Sequence, residues 1–445
     1  MSLHGLPWLV ALAISAPLAV VFTVSEPGSA QSGPVQAFVG ATVIDGTGAA
    51  PIRNAVIVVR NGVIAALGPA DDVDVPEGAA RIDSAGKTIV PGLINAHGHV
   101  GSADGLDTGP QVNTDTNVAR QLAIYARYGV TTVVSLGDDR EAGFRARAAS
   151  SNAAIDRARL YVAGPVVTAT TPDEARKAVE AAAALKPDWI KIRVDDNLGA
   201  TRKTTPEVYR TVIEQAHARG LRVAAHIFYL ADAKALLRAG VDFLAHSVRD
   251  RDVDRELIDL MKARGVCLSP TLMREVSTFV YESRPAFFDD PFFTRDADPG
   301  AVAVLDDPGR QAKVAASRSA QAYKKALEVA RRNVKALHDA GVSLAFGTDT
   351  GPPARFQGYF EQLELEELVK AGLTPAEALS SATGDAARCM GLADRLGTLQ
   401  RGRHADFIVL TRNPLEDVRH TRTIESVWVG GNRVPESPSP GPRVP

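Results

Sequence analysis

Three observations predict an α/β fold for this chain: a (β/α)8 TIM barrel with a small β-sandwich domain formed from the N- and C-terminal segments. Eight apolar, strand-like runs alternate with amphipathic helical stretches between residues 91 and 396. Val- and Ile-rich runs broken by turn signals occupy both flanks, 31–90 and 397–434. Histidine, lysine and aspartate recur at the C-terminal ends of the barrel runs, the end at which barrel enzymes carry their active sites.

The elements follow in order. Leu6 to Val24 is nearly all apolar, and Gly28-Ser29-Ala30 before Gln31 offers the small residues of a signal peptidase site. Residues 1–30 therefore read as a signal peptide, and the protein as exported, periplasmic or secreted, with no stable membrane association once the signal is cleaved. The first five residues carry no Lys or Arg, and the run is long enough to remain in a bilayer, so an uncleaved membrane anchor is the alternative. No cysteine near the cleavage region indicates a lipid-linked form.

From Gln36 to Ile89, short strand-like runs alternate with turns, and Asn61-Gly62 between Ala55–Arg60 and Val63–Leu67 is a strong hairpin signal. The runs Gly402–Leu410, Ile424–Val429 and Asn432–Val434 repeat that character. The eight barrel runs are Ile89–Ala96, Thr131–Leu136, Leu160–Val167, Trp189–Val194, Arg222–Ile227, Phe243–Ser247, Val266–Thr271 and Ser343–Gly347. Between them lie helical stretches such as Pro172–Leu185, Pro206–Gly220 and Ala231–Gly240, the first two with Pro in the first turn. Residues 272–320 make a long insertion rich in Phe and Tyr, readable as a lid over the active face or as an aromatic mini-core. Cys267 and Cys389, the only cysteines, lie in apolar surroundings and read as buried thiols; export permits a disulfide without requiring one. The Pro- and Ser-rich tail 435–445 reads as disordered.

With 50 basic against 52 acidic residues and no basic block interleaved with aromatics, nucleic acid is excluded as a partner. The expected partner is a small-molecule substrate, and a homo-oligomer is compatible with the sequence.

His97 and His99 are two apart in an extended run, so both imidazoles point to one side and can reach one metal ion. Lys191, His226, His246 and Asp349 follow, each ending an apolar run, so that all six side chains converge on one barrel mouth. Nitrogen and oxygen donors without cysteine suit zinc. Tyr229 could stabilise an oxyanion or simply pack. Arg249 and Arg193 could clamp a substrate carboxylate or serve structural ion pairs. His217, His338, His404 and His420 fall away from the strand ends and read as structural or exposed.

These residues resemble the amidohydrolase superfamily. The resemblance rests on Val43-Ile44-Asp45-Gly46, on the entry phrase Ile89-Val90-Pro91-Gly92-Leu93-Ile94-Asn95-Ala96-His97-Gly98-His99, on the later Lys, His, His and Asp in order, and on the closing run Leu396–Leu410. Ile190-Lys191-Ile192 is similar to the branch of prolidase-like and imidazolonepropionase-related proteins. The resemblance implies a binuclear metal-dependent hydrolase with two divalent ions, usually zinc. His97, His99 and Asp349 would hold the more buried ion and His226 and His246 the other. Lys191, carboxylated by carbon dioxide, would bridge them, since an ammonium has no lone pair to offer a metal.

A metal-bridging hydroxide would then attack an amide carbonyl, with Asp349 as the catalytic proton carrier. The expected substrate is a dipeptide of Xaa-Pro type or an N-acyl amino acid. Lactone or cyclic amide hydrolysis is the alternative, and a mononuclear deaminase of the same superfamily the nearest rival. Against the rival, position 229 is Tyr where such deaminases carry Glu, and they give no role to a fourth-strand lysine.

Overall fold

The computed structural model describes Met1 and residues 35–437. The expected signal peptide 1–30, apart from Met1, and all of the tail beyond residue 437 lie outside the described residues. Among those described, no helix is long and apolar enough to cross a membrane.

The N-terminal stretch forms β1 (Gln36–Val43), β2 (Ile52–Arg60), β3 (Val63–Pro69), β4 (Ala80–Asp83) and β5 (Thr88–Pro91). Asn61 and Gly62 both take positive φ, 52° and 76°, and turn β2 into antiparallel β3. These are the two residue types that tolerate that region best, and the turn they make twists with the strands, hence the hairpin.

The middle carries β6 (Leu93–Gly98), a small hairpin of β7 (Ala103–Asp104) and β8 (Asp107–Thr108), then β9 (Val130–Ser135), β10 (Arg159–Val162), β11 (Val166–Val167), β12 (Trp189–Arg193), β13 (Arg222–His226), β14 (Phe243–Ala245) and β15 (Cys267–Ser269). Helices Pro172–Ala184, Pro206–His217 and Leu230–Ala239 lie where the sequence predicts them. Their inward residues, among them Val179, Val212 and Leu236, share one core with Ile190, Val223 and Leu244 of the strands. Burying each such side chain contributes about 1.5–3 kcal/mol.

The expected closed eight-stranded barrel is replaced by two parallel sheets, β10-β9-β6 and β11-β12-β13-β14-β15. The third run is split because Pro165, which has no N–H to donate, follows β10; β10 pairs with β9 and β11 with β12. The eighth run forms no regular strand. It is tied to β15 by a parallel bridge between Leu268 and Leu344, and to β6 by the Ala96 N–H donating to Phe346 O. It runs too close to both for a regular ladder: a Cβ at Gly347 would stand 2.3 Å from Ser269 Oγ and 2.9 Å from His97 N.

The chain then returns through β16 (Phe407–Leu410), β17 (Ile424–Val429) and β18 (Asn432–Arg433). β16 runs antiparallel to β5, so the two termini do share a sheet. The expected sandwich is not confirmed, however. These strands make one eight-stranded sheet in the order β18-β17-β16-β5-β1-β2-β3, with β4 on β1. Val63 at the start of β3 bridges His404 just before β16, so the sheet curls on itself. Curling buries one core, in which Phe38 meets Phe407 and Trp428 edge-on at 4.8 and 4.9 Å between ring centroids. It provides the burial that two stacked sheets would have provided.

A buried ion pair joins the sheet to the barrel region. Arg159 of β10 donates through Nε and Nη2 to the two oxygens of Asp406, at 2.7 and 3.1 Å. Asp406→Ala leaves the buried guanidinium without its counter-charge, with the Ser150 carbonyl as its remaining partner, and unfolding stability is expected to fall by about 3 kcal/mol. Urea titration reads this as a lower midpoint at unchanged slope; an unchanged midpoint would show that the pair contributes nothing.

Two other expectations are resolved. Cys267 of β15 and Cys389 of the helix Gly384–Met390 are not free thiols but a disulfide, with Cα atoms 5.9 Å apart. Their surroundings are apolar, as expected, but only the folded chain shows that this strand and helix are neighbours. The insertion is a mini-core. Its Tyr281, Phe288 and Phe293 are buried against Tyr128, Tyr359 and Phe360, with Phe279, Phe287 and Phe292 partly buried.

Candidate metal centre

The structure brings the six expected ligands to the C-terminal ends of the strands. His97 lies on β6 and His99 just beyond it, Lys191 on β12, His226 at the end of β13, His246 after β14, and Asp349 after the eighth run. His97, His246 and Asp349 form the tightest group, each offering one atom within 4.8 Å of the others. His99 Nε2 is 2.9 Å and His97 Nε2 3.5 Å from Asp349 Oδ1. Lys191 Nζ is 3.1 Å from His97 Nε2. The His226 and His246 ring centroids are 4.1 Å apart.

Backbone strain concentrates at these strand ends. His246, Asp349 and Thr271 take positive φ, 82°, 60° and 51°. Residues with a Cβ adopt this region at a cost of about 1–3 kcal/mol, and only where the surroundings impose it.

Each outer imidazole has one nitrogen engaged away from the cluster. His99 Nδ1 donates to Gly137 O at 3.0 Å, and since a carbonyl only accepts, Nε2 carries the lone pair in the neutral ring, although burial is outweighed here by Asp349, which raises this imidazole above its ordinary value. His226 Nε2 faces Asp195 Oδ2 at 2.8 Å, and by the same reasoning Nδ1 is its free acceptor. His246 Nδ1 bonds to Thr271 Oγ1 at 2.6 Å. Such partners fix the tautomer of metal-binding histidines.

Burial dominates the electrostatics. It holds His97 and His246 well below the ordinary imidazole value and takes His226 down to about 3 despite Asp195. Burial also lowers Lys191 to about 8, against the pull of Asp349. Burial alone would raise the Asp349 carboxyl, but Arg355, with Nη1 2.5 Å from Oδ2, and the two histidines hold it well below the usual range.

The cluster opens into a cavity of about 350 Å³ lined by His97, His99, Lys191, His226 and Asp349 and by three arginines, Arg193, Arg274 and Arg355. Arg193, half-exposed, is the one expected substrate residue that reaches it. Arg249 does not: it is buried, beside Glu275 at 2.9 Å and donating to the carbonyls of Ile227 and Ser247. Tyr229 does not either, because its hydroxyl donates to Asp196 at 2.7 Å and Lys203 lies over its ring. The aromatic residues of the insertion are absent from the cavity wall.

Sequence reasoning missed Asp195, Arg274 and Arg355. Asp195 had a signal, an Asp-Asp-Asn turn directly after the Lys191 strand; the two arginines lay in loops whose course no pattern predicts.

The donor set fits divalent metal ions. His246 Nε2 is buried with no hydrogen-bond partner, and an unpartnered imidazole nitrogen in a histidine grouped with His97 and Asp349 is the arrangement a cation completes.

Comparison with known proteins agrees with this geometry. The chain matches the amidohydrolase family over residues 88–434. It is 26% identical over 451 residues to ochratoxinase from Aspergillus niger, covering 88% of this chain and 85% of that one. It is 25% identical over 403 residues to imidazolonepropionase from Geobacillus kaustophilus, covering 80% and 84%. A solved structure from Bifidobacterium longum assigned as a prolidase matches with a TM-score of 0.74 at 27% identity, covering 91% of this chain and 95% of that one. The family and that structure imply a TIM barrel with a β-rich domain, the architecture this chain approaches with its two parallel sheets and curled terminal sheet. The chain is a hydrolase and belongs to the amidohydrolase family.

Proposed function

We propose that this protein is a binuclear metal-dependent hydrolase that cleaves the amide bond of a carboxylate-bearing substrate, an N-acyl amino acid or a dipeptide including the Xaa-Pro type. The observation that carries this reading is one cavity lined both by five of the six ligands, His97, His99, Lys191, His226 and Asp349, and by Arg193, Arg274 and Arg355. Guanidinium forks match carboxylates in shape and charge. The likeness to a structure assigned as a prolidase supports the dipeptide choice.

His97, His99 and Asp349 would hold one ion, His226 and His246 the other, zinc being the first choice, with Lys191 between them. Bound there, such ions supply Lewis-acid polarisation of the scissile carbonyl and a water acidic enough to act as nucleophile near neutral pH.

The chain's own groups do the rest. Burial leaves part of Lys191 as free amine near neutral pH. Its nitrogen can then add to the carbon of carbon dioxide and lose a proton, giving a carbamate with two ligand oxygens. Gly137, Thr271 and Asp195 hold the imidazoles in one orientation each. Asp349 takes the proton of the attacking water on a carboxylate oxygen and delivers it to the leaving nitrogen. Arg193, at the rim, pairs with the substrate carboxylate.

We also infer export. The disulfide supports it, because such bonds persist in oxidising compartments and are rare in the cytosol.

Elemental analysis and a substrate panel test the reading together. Two divalent ions per chain are expected, with activity lost to a chelator and restored by zinc. N-acyl amino acids and dipeptides should be hydrolysed faster than their carboxamide analogues, lactones or cyclic amides. One tightly bound ion in an active preparation would favour the mononuclear deaminase, and equal turnover of the carboxamides would remove the arginine argument.

A further inference from the structure

Glu361, on the helix Tyr359–Lys370, is wholly buried, yet no step above uses it. Its Oε1 accepts from three side chains: Asn95 Nδ2 at 2.8 Å, Thr348 Oγ1 at 2.5 Å and Thr350 Oγ1 at 2.5 Å. Its Oε2 accepts the Gly358 N–H at 2.5 Å. Asn95 continues the network, its Oδ1 accepting the His97 N–H at 2.9 Å. Thr350 has given its proton to Glu361, so Tyr125, 2.7 Å away, donates to Thr350 Oγ1.

The donors occupy telling positions. Thr348 and Thr350 are the two neighbours of Asp349, the residue held at φ 60°. Asn95 is two residues before His97 and bonds to its backbone. One carboxylate therefore fixes the chain on both sides of the strained Asp349 and, through one amide side chain, the backbone of His97. Backbone bonds from Thr348 and Asp349 to His97 O and from His99 to Thr350 O hold one edge of this segment, and the carboxylate adds side-chain ties on both sides of Asp349, because a left-handed residue relaxes unless its surroundings over-determine it. A carboxylate suits this position because it is acceptor-only and can take four donors at once.

We propose that Glu361 is the positioning residue of the metal centre, acting through Thr348, Thr350 and Asn95 to hold Asp349 and His97 in register for metal binding. The proposal rests on the metal-centre reading above.

The test is zinc titration of the full chain after metal removal, comparing wild type with Glu361→Gln. Glutamine keeps the shape but turns an amide donor toward groups that are themselves donors. Zinc affinity is expected to weaken roughly 10–100-fold, as for other outer partners of metal ligands. In the metal-free protein, amide exchange at His97 and at residues 348–350 should rise by roughly tenfold or more, while β9 exchanges as in wild type. Asp406→Ala serves as the control, a variant destabilised far from the site whose zinc affinity should not change.

Should Glu361→Gln fail to fold, Thr348→Val and Thr348→Ser carry the same test. The valine, lacking the hydroxyl, should weaken zinc binding, and the serine, retaining it, should not. Unchanged zinc affinity in Glu361→Gln, equal weakening in Asp406→Ala, or equal affinities in the two Thr348 variants would overturn the proposal. Wild-type protein that binds no divalent ion would sink the metal-centre reading and this proposal together, whereas normal wild-type binding with an unaffected Glu361→Gln sinks the proposal alone.

Discussion

Lys191→Ala is expected to lose most of its bound metal and to hydrolyse its substrate more slowly than wild type by over ~10³-fold, beyond the effect of deleting one transition-state hydrogen-bond donor. Lys191 is buried on β12 with its Nζ 3.1 Å from His97 Nε2. As an ammonium it would stand beside two cations, a like-charge arrangement strongly disfavoured in a low-dielectric site. As a carbamate it reverses sign and contributes two oxygens. Alanine removes both and leaves room, so a small carboxylic acid added to the variant should restore part of the metal content and part of the rate. Metal analysis and rate measurement with and without the acid decide the matter. Two ions at wild-type rate in Lys191→Ala would make the lysine structural and bring the site closer to the mononuclear type.

Cys389→Ser should lower unfolding stability by about 4–5 kcal/mol, the chain-entropy estimate for releasing a loop closed across 122 residues. The bond ties β15 to the helix Gly384–Met390, well away from the strand ends that carry the ligands, so metal content should not change. Denaturant titration of variant and wild type measures the effect. Thiol titration of unreduced protein from the native host tests the premise: two free thiols per chain would remove the bond and, with it, the support for export.

Much of this architecture was legible because it depends on local pattern. Asn61-Gly62 specifies a hairpin through its own backbone preferences, and strand alternation alone puts His97 and His99 on one side. Lys191, His226 and His246 could be placed because each ends a short apolar run with strand character, a pattern read from the run itself. The illegible features are pairings between distant segments. Whether Val63 meets His404, so that a sheet curls where a sandwich was expected, depends on the path of the whole chain. So does the disulfide, and so does the fate of Arg249, whose carbonyl and Glu275 partners come from three separate stretches. The broken eighth run had a local cause in Gly347, but its effect appears only once His97 and Ser269 stand against it.

The aromatic insertion has a consequence for how this enzyme could change over time. Its rings are committed to one another and to the helix behind them, and the cavity wall beside the ligands contains arginine, proline, Leu136, Val166 and small polar residues but no aromatic ring of the insertion. On the proposed reading, fold robustness and substrate choice would thus rest on separate sets of side chains. Drift among the phenylalanines would register in melting curves while leaving substrate preference intact. On the same reading, a shift toward neutral or cationic substrates would begin with Arg193, the exposed arginine at the rim, with the scaffold left as it is.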